Sequence, residues 1–183
     1  MTHKLTTTEM NRLTVEEFHN VEKLPLVVVL DNIRSLNNIG SVFRTSDAFR
    51  VERICLCGIT ATPPHRDIHK TALGAEESVQ WSYHEDAAEC LKALKSEGFS
   101  VFAIEQVDNS VSLEKLSTGR QIDKPTKMAV VFGNEIEGVQ EELLPLCDAC
   151  IEIPQYGTKH SLNVSCAAAI VIWEMFKWLK IYD

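Results

Sequence analysis

The sequence predicts an α/β fold, a mainly parallel sheet flanked by helices, on three observations. Short β-rich apolar runs alternate with helical patterns. Several of those runs are apolar throughout, as strands covered on both faces are. The richest groups of Gly, Asn and Ser directly follow strand candidates, where ligands settle in open α/β sheets.

Residues 1–24 are read as a helical extension, with a small amphipathic helix in the first twenty residues packed outside the main unit. The expected strands are LVVVL (26–30), RICLC (53–57), VQWSY (79–83), SVFAI (100–104), MAVVF (128–132) and CIEI (150–153). Helical spacing covers about 39–49, 85–97, 139–146 and 163–180. Strand–helix alternation of this kind implies right-handed crossovers. Residues 106–127 read as a longer, partly irregular connection. No internal repeat or low-complexity linker divides the chain, so residues 25–183 are read as one domain.

With 183 residues, 45% hydrophobic and 24% charged, the composition is that of an ordinary globular protein. No segment approaches the roughly 18 unbroken apolar residues of a membrane span. The polar first twenty residues lack an apolar signal core. A cytoplasmic protein with no membrane partner is expected. Its six cysteines are read as free thiols. Cys55 and Cys57, two apart in a strand, face the same side. Cys147 and Cys150 have a metal-like C-x-x-C spacing, but no second pair accompanies them, and no metal is expected. His65 and His69, four apart beside Pro63 and Pro64, are read as solvated. The net charge of −8 argues against a general nucleic-acid binder and leaves room for a local basic patch.

Three junctions carry chemistry. After the first strand, SLNNIGSVFRTSDAF offers Asn37 or Asn38 as a helix cap. Arg44 then lies on the second turn, where it either grips a phosphate bidentately or pairs with Asp47 or another acid. After the fifth strand, VVFGNEIEGV carries Gly133 and Gly138, which admit unusual backbone angles and close approach. Asn134 and Glu135 stand there as ligand or bracing groups, in what is otherwise a plausible strand-to-helix turn. After the sixth strand, IPQYGTKHSLNVS offers Ser161 as a cap. Asn163 and Ser165 fall in or beside the first helical turn, where neither residue type favours helix.

Together, NNIGSVFRT, VVFGNEIEGV and IEIPQYGTKHSLNVSCAAAIVIWE resemble, in order, the three motifs of the SpoU/TrmH family of the SPOUT superfamily, the RNA ribose 2′-O-methyltransferases. The resemblance covers roughly residues 26–180 and is nearest to the tRNA-modifying branch, whose best-known members methylate a D-loop guanosine. It implies a carboxyl-terminal deep trefoil knot, S-adenosyl-L-methionine as cofactor, and a homodimer joined through the knot region and the last helix. The cofactor cradle it implies is Ile104, Glu105, Phe132, Gly133, Asn134, Ile153 and Leu162. The essential positions it implies are Asn38, Arg44, Glu135, Ser161 and Asn163, with Arg44 reaching the cofactor held by the other subunit. Independently, the apolar run CAAAIVIWEMFKWL calls for burial on nearly every side.

The expected substrate is RNA, with tRNA favoured over rRNA. Its contacts would come from Arg34, Arg44, Arg66, Lys70 and Lys159. Arg50, Arg53, His65, His69 and His160 would extend a cationic rim, with Glu137, Glu141 and Glu142 placed elsewhere. The run HKTALGAEESVQW reads as a substrate loop or as a short helix leading into the third strand. Two other readings are an rRNA enzyme of the same family and a non-catalytic RNA-binding dimer.

Overall fold

Strand β1 (Leu24–Asp31) is apolar on both of its faces. Side chains alternate along a strand, so Leu26, Val28 and Leu30 enter one core and Val27 and Val29 another. The first core is closed by α2 (Leu36–Ala48), α3 (Arg66–Ala72) and α6 (Val164–Leu179). The second is closed by α5 (Ala87–Ser96). Cys55 and Cys57 both point into the second core, as their spacing predicts.

The computed structural model describes residues 2–6, 8–118 and 122–179. Its remaining strands are β2 (Val51–Cys57), β3 (Gln80–His84), β4 (Ser100–Ile104), β5 (Val111–Ser112), β6 (Met128–Phe132) and β7 (Ala149–Glu152). One seven-stranded sheet has the order β3-β2-β1-β6-β4-β7-β5. All its neighbouring pairs are parallel. Strand β6 sits between β1 and β4, with Val28 opposite Val130 and Phe102 opposite Val130 on its other side. The first three strands therefore spread to one edge and the later ones to the other.

Several local expectations are corrected. Helix α2 begins earlier than 39, because Ser35, not Asn37 or Asn38, caps it by accepting from the Asn38 N–H. The expected helix at 139–146 is a 3-10 turn over Glu141–Leu146, containing Pro145, which lacks a backbone donor. The irregular connection contains β5 and a 3-10 turn over Leu113–Thr118. Residue 180, the expected end of the last helix, lies outside the described residues. Helix α1 (Val15–Asn20) is fixed by a capping box of Thr14 and Glu17. It docks through Phe18 into the first core rather than lying wholly outside.

The run HKTALGAEESVQW is α3, the single-turn α4 (Ala75–Ser78) and the start of β3, so the short-helix alternative holds. Its contact with α2 explains Gly40. A Cβ there would lie closer than 3.0 Å to the Ile68 carbonyl oxygen and to Thr71 Oγ1. Gly40→Ala gains up to about 1 kcal/mol of helix propensity. Overpacking costs about 1–3 kcal/mol, and here α3 backbone must move. We expect net destabilisation and a midpoint lowered by roughly 2–4 °C per kcal/mol, measured by thermal unfolding.

Helix α6 buries Val164, Ala168, Val171, Ile172, Met175 and Leu179 along one stripe. Ile170 and Trp173 stay 40% and 46% exposed, so burial on every side is not met within one chain. Trp173 packs with Phe49 and Phe176, ring centroids 5.6 and 5.9 Å away. No described helix is long and apolar enough to cross a membrane.

Candidate functional site

The carboxyl ends of β4, β6 and β7 surround a cavity of about 290 Å³. All the residues expected to cradle a cofactor line it: Ile104, Glu105, Phe132, Gly133, Asn134, Ile153 and Leu162. Glu135 and Ser161 line it as well. Asn38, Arg44 and Asn163 do not.

The loop after β6 is shaped by its own side chains. Asn134, buried, accepts at Oδ1 from the Ile136 and Glu137 N–H groups, both at 2.8 Å. The Gly138 N–H donates back to the Asn134 carbonyl at 3.0 Å. Gly138 has φ +72°, a left-handed angle that suits glycine. Glu105, expected to contribute backbone, also uses its carboxylate. It accepts from the Gln106 N–H at 2.8 Å and the Val139 N–H at 3.0 Å, tying the end of β4 to this loop.

A second set of bonds joins all three junctions. Glu135 accepts from the Arg34 N–H at 3.3 Å, the Ser35 N–H at 3.2 Å and Asn38 Nδ2 at 3.0 Å. Asn38 Oδ1 accepts in turn from Asn163 Nδ2 at 3.1 Å. Asn163 Oδ1 accepts from the Ser165 N–H at 2.9 Å, Ser165 Oγ at 2.6 Å and the Cys166 N–H at 3.4 Å. Asn163, not Ser161, therefore caps α6. Ser161 is exposed and faces the cavity. The polar run at 157–163 is divided: Asn163 holds the helix end and the first junction, while Ser161 lines the cavity.

Burial pushes the Glu135 carboxyl up, but hydrogen bonds from its own N–H, Asn38, Arg34 and Ser35 outweigh it and hold the group below its ordinary 4.5. A carboxylate with a lowered folded value stabilises the fold fully above its unfolded value and loses that contribution as pH falls through the folded one. The Asn38 side-chain amide signals should therefore titrate by NMR with a midpoint below 4.5. In Glu135→Gln that titration should vanish.

Arg44 lies six residues beyond Asn38, about 9 Å further along the helix and about 120° around it. It is exposed, and among the described residues it makes no ion pair. Asp47 instead accepts from Ser78 Oγ. The expected RNA contacts fall into separate places. Arg34 and Lys159 are exposed on the first and third junctions. Arg66 lies in a surface hollow with His65, His69 and Trp81, while Lys70 pairs with Asp67 at 3.5 Å. Arg53 does not join a rim, because Glu52 and Glu97 hold it. Glu137 is not elsewhere: it lines the cavity. His65 caps α3 and His69 meets Glu76, so the two do not act as a pair.

Sequence reasoning missed Gln106, whose Nε2 donates to the His160 carbonyl at 3.2 Å and closes the third junction over the end of β4. It also missed Asp31, buried at the end of β1, which accepts from Gln140 Nε2 at 2.7 Å. Burial pushes this carboxyl up despite that bond. Neither pairing leaves a spacing signal, whereas Ser35 was legible as a preferred cap residue.

Comparison with known proteins bears on this arrangement. The sequence model of the SpoU rRNA Methylase family matches residues 25–173. A tRNA (guanosine(18)-2′-O)-methyltransferase of Thermus thermophilus is 34% identical over 167 residues, covering 91% of this chain and 82% of its own. The solved A. aeolicus TrmH/SpoU tRNA modifying enzyme superposes with a TM-score of 0.76 at 25% identity, covering 90% of this chain and 80% of that one. An AdoMet-bound rRNA methyltransferase from Sinorhizobium meliloti superposes with a TM-score of 0.75 at 26% identity, covering 87% of this chain and 59% of that one.

Proposed function

The chain belongs to the SpoU rRNA methylase family, RNA 2′-O-methyltransferases that use S-adenosylmethionine, and from that premise we propose that it methylates the ribose of a D-loop guanosine in tRNA, the guanosine-18 type of target. The observation that carries the choice of tRNA is the likeness to a guanosine-18 enzyme across nearly the whole chain. Residues 25–183 form the methyltransferase domain and residues 1–24 an extension of it, in a cytoplasmic protein. The carboxyl-terminal part forms a deep trefoil knot, and two chains pair through it and through α6. The half-exposed Ile170 and Trp173 support that pairing, since a second chain seated on α6 would complete the burial its apolar run calls for.

The residues present suit the cofactor. Ile104, Phe132, Ile153 and Leu162 give the cavity apolar walls for a base, and Glu137 and Glu152 place carboxylates where a cationic ligand gains by them. S-adenosylmethionine, when bound, supplies a methyl group already activated on its sulfonium. The residues of this chain then have two tasks, to align the ribose hydroxyl and to handle its proton. Holding reacting atoms about 3–3.5 Å apart and in line supplies much of the acceleration.

Arg44 of one subunit acts on the site of the other. Its guanidinium is always protonated and is no base. It holds the target phosphate through its planar fork and stabilises charge developing on the ribose oxygen. The hydroxyl proton passes to the phosphate or to water. Glu135 is not the base either, since three donors from the first junction occupy its oxygens and its carboxyl is held low. It positions Asn38 and, through Asn38, the end of α6. Ser161 contacts the ligand from the cavity wall. Arg34, Arg66, Lys70 and Lys159 contact RNA, with salt-sensitive binding as the consequence.

Transfer of labelled methyl from S-adenosylmethionine to unmodified tRNA and, separately, to rRNA tests the reading, with the modified nucleotide mapped. Label on a tRNA D-loop guanosine, lost when that ribose lacks its 2′-hydroxyl, is the expected result. Label found only in rRNA overturns the choice of substrate, and cofactor binding without transfer to either supports a non-catalytic dimer.

A further inference from the structure

Cys55, His84 and Cys90 come from β2, β3 and α5, yet their ligand atoms all lie within 4.8 Å of one another. We propose that these three residues form a site for a thiophilic divalent cation of the zinc class. Two sulfurs and an imidazole nitrogen are a donor set that zinc takes readily, with the fourth position left to solvent. A tetrahedral ion with metal–sulfur bonds of about 2.3 Å sets its sulfurs about 3.8 Å apart, so the two sulfurs need to close by no more than about 1 Å on loading.

Three further features suit the ion. Cys55 and Cys90 are buried and His84 half-buried, beside an opening of about 280 Å³ that Arg53, Ser82 and Glu97 also line. The ion therefore has a way in. Ser82 Oγ is 2.9 Å from His84 Nε2 and donates to Cys55 Sγ at 3.7 Å, so with Nδ1 as the ligand atom an outer partner already holds the ring. Such partners are worth about 10–100-fold in metal affinity. Two thiolates cancel the charge of a divalent ion, so little net charge is buried.

A thiol binds such an ion as its thiolate, so binding forms two metal–sulfur bonds, releases two thiol protons to solvent and strengthens as pH rises. The bound ion ties the edge strand β3 to α5. The C-x-x-C pair, Cys147 and Cys150, finds no third ligand close enough among the described residues. The proposed site shares no residue with the cavity at the carboxyl ends of β4 and β6, so it stands apart from the methyl-transfer reading.

Untagged, reduced, chelator-treated protein titrated anaerobically with Co²⁺ tests this. The expected result is one ion per chain, thiolate-to-cobalt absorption, proton release, and displacement by Zn²⁺. Cys90→Ser and His84→Asn should each weaken binding at least about tenfold, Ser82→Ala by roughly tenfold, and Cys147→Ser not at all. His84→Asn keeps the test open if Cys90→Ser does not fold, because His84 is a half-buried edge residue. Absence of thiolate–cobalt absorption in the wild type, or its persistence in His84→Asn, overturns the proposal. Formation of a Cys55–Cys90 disulfide with no metal uptake by the reduced protein overturns it too.

Discussion

Replacing Arg44 with alanine is expected to lower methyl transfer roughly 10²–10³-fold, the effect of losing one preorganised donor to developing oxyanion charge. Folding and S-adenosylhomocysteine affinity should stay near wild type, because Arg44 is exposed and does not line the cavity of its own chain. Arg44→Lys keeps the charge but loses the planar fork, so it should recover only part of the activity. Full turnover in Arg44→Lys would remove the need for bidentate grip. Mixing Arg44→Ala chains with chains unable to bind cofactor gives a sharper test. In mixed dimers, one site has bound cofactor and an intact Arg44 from its partner. Activity should return to about a quarter of wild type after subunit exchange at equal amounts, on random pairing into two-fold dimers. No recovery after verified exchange would place Arg44 in its own chain's site.

Gly133→Ala should act on cofactor binding. A Cβ at Gly133 would lie closer than 3.0 Å to the carbonyl of Gly138 and to the Val139 N–H. Both obstacles are backbone, so the loop itself has to open. Opening it breaks the Gly138-to-Asn134 bond and disturbs the Val139-to-Glu105 bond. We expect about 1–3 kcal/mol of destabilisation and at least a tenfold loss of S-adenosylhomocysteine affinity, measured by calorimetry. Gly157→Ala is the matched control, since a Cβ there meets nothing within 4 Å. Equal losses in the two variants would show that the loop around Gly133 is not special.

Much of the sheet was legible because its strands are covered on both faces, which makes runs such as LVVVL and MAVVF unbroken. Strand β5 escaped because two residues paired only with β7 show no periodicity. The sheet order escaped too: nothing local says that β6 enters between β1 and β4. The cap errors share one cause. Asn38 and Ser161 are good cap residues by type, but each is used elsewhere, Asn38 on Glu135 and Ser161 on the cavity wall. Glu135, Asn38 and Asn163 stood out at the strand ends, and only the family resemblance marked them as essential. Their mutual bonds were not visible, because the partners stand 97 and 125 residues apart. The Cys55–His84–Cys90 cluster escaped for a similar reason, since metal spacing rules look along the chain and the fold gathers these ligands from three elements.

The insertion of β6 between β1 and β4 also sets an order of events in time. Its partner β1 precedes it by about a hundred residues, and closing so long a loop is a late and slow step in folding. Before that step, β1–β2–β3 and α2 can assemble from neighbouring segments. Glu135 still lacks its partners Arg34, Ser35 and Asn38, and Asn163 Nδ2 still lacks Asn38 Oδ1. The chemistry-bearing loops thus become ordered together when the centre of the sheet is filled. A chain arrested short of its native state would carry most of its helices and no cofactor cradle. Methyl-donor affinity is in this sense a readout of the completed fold.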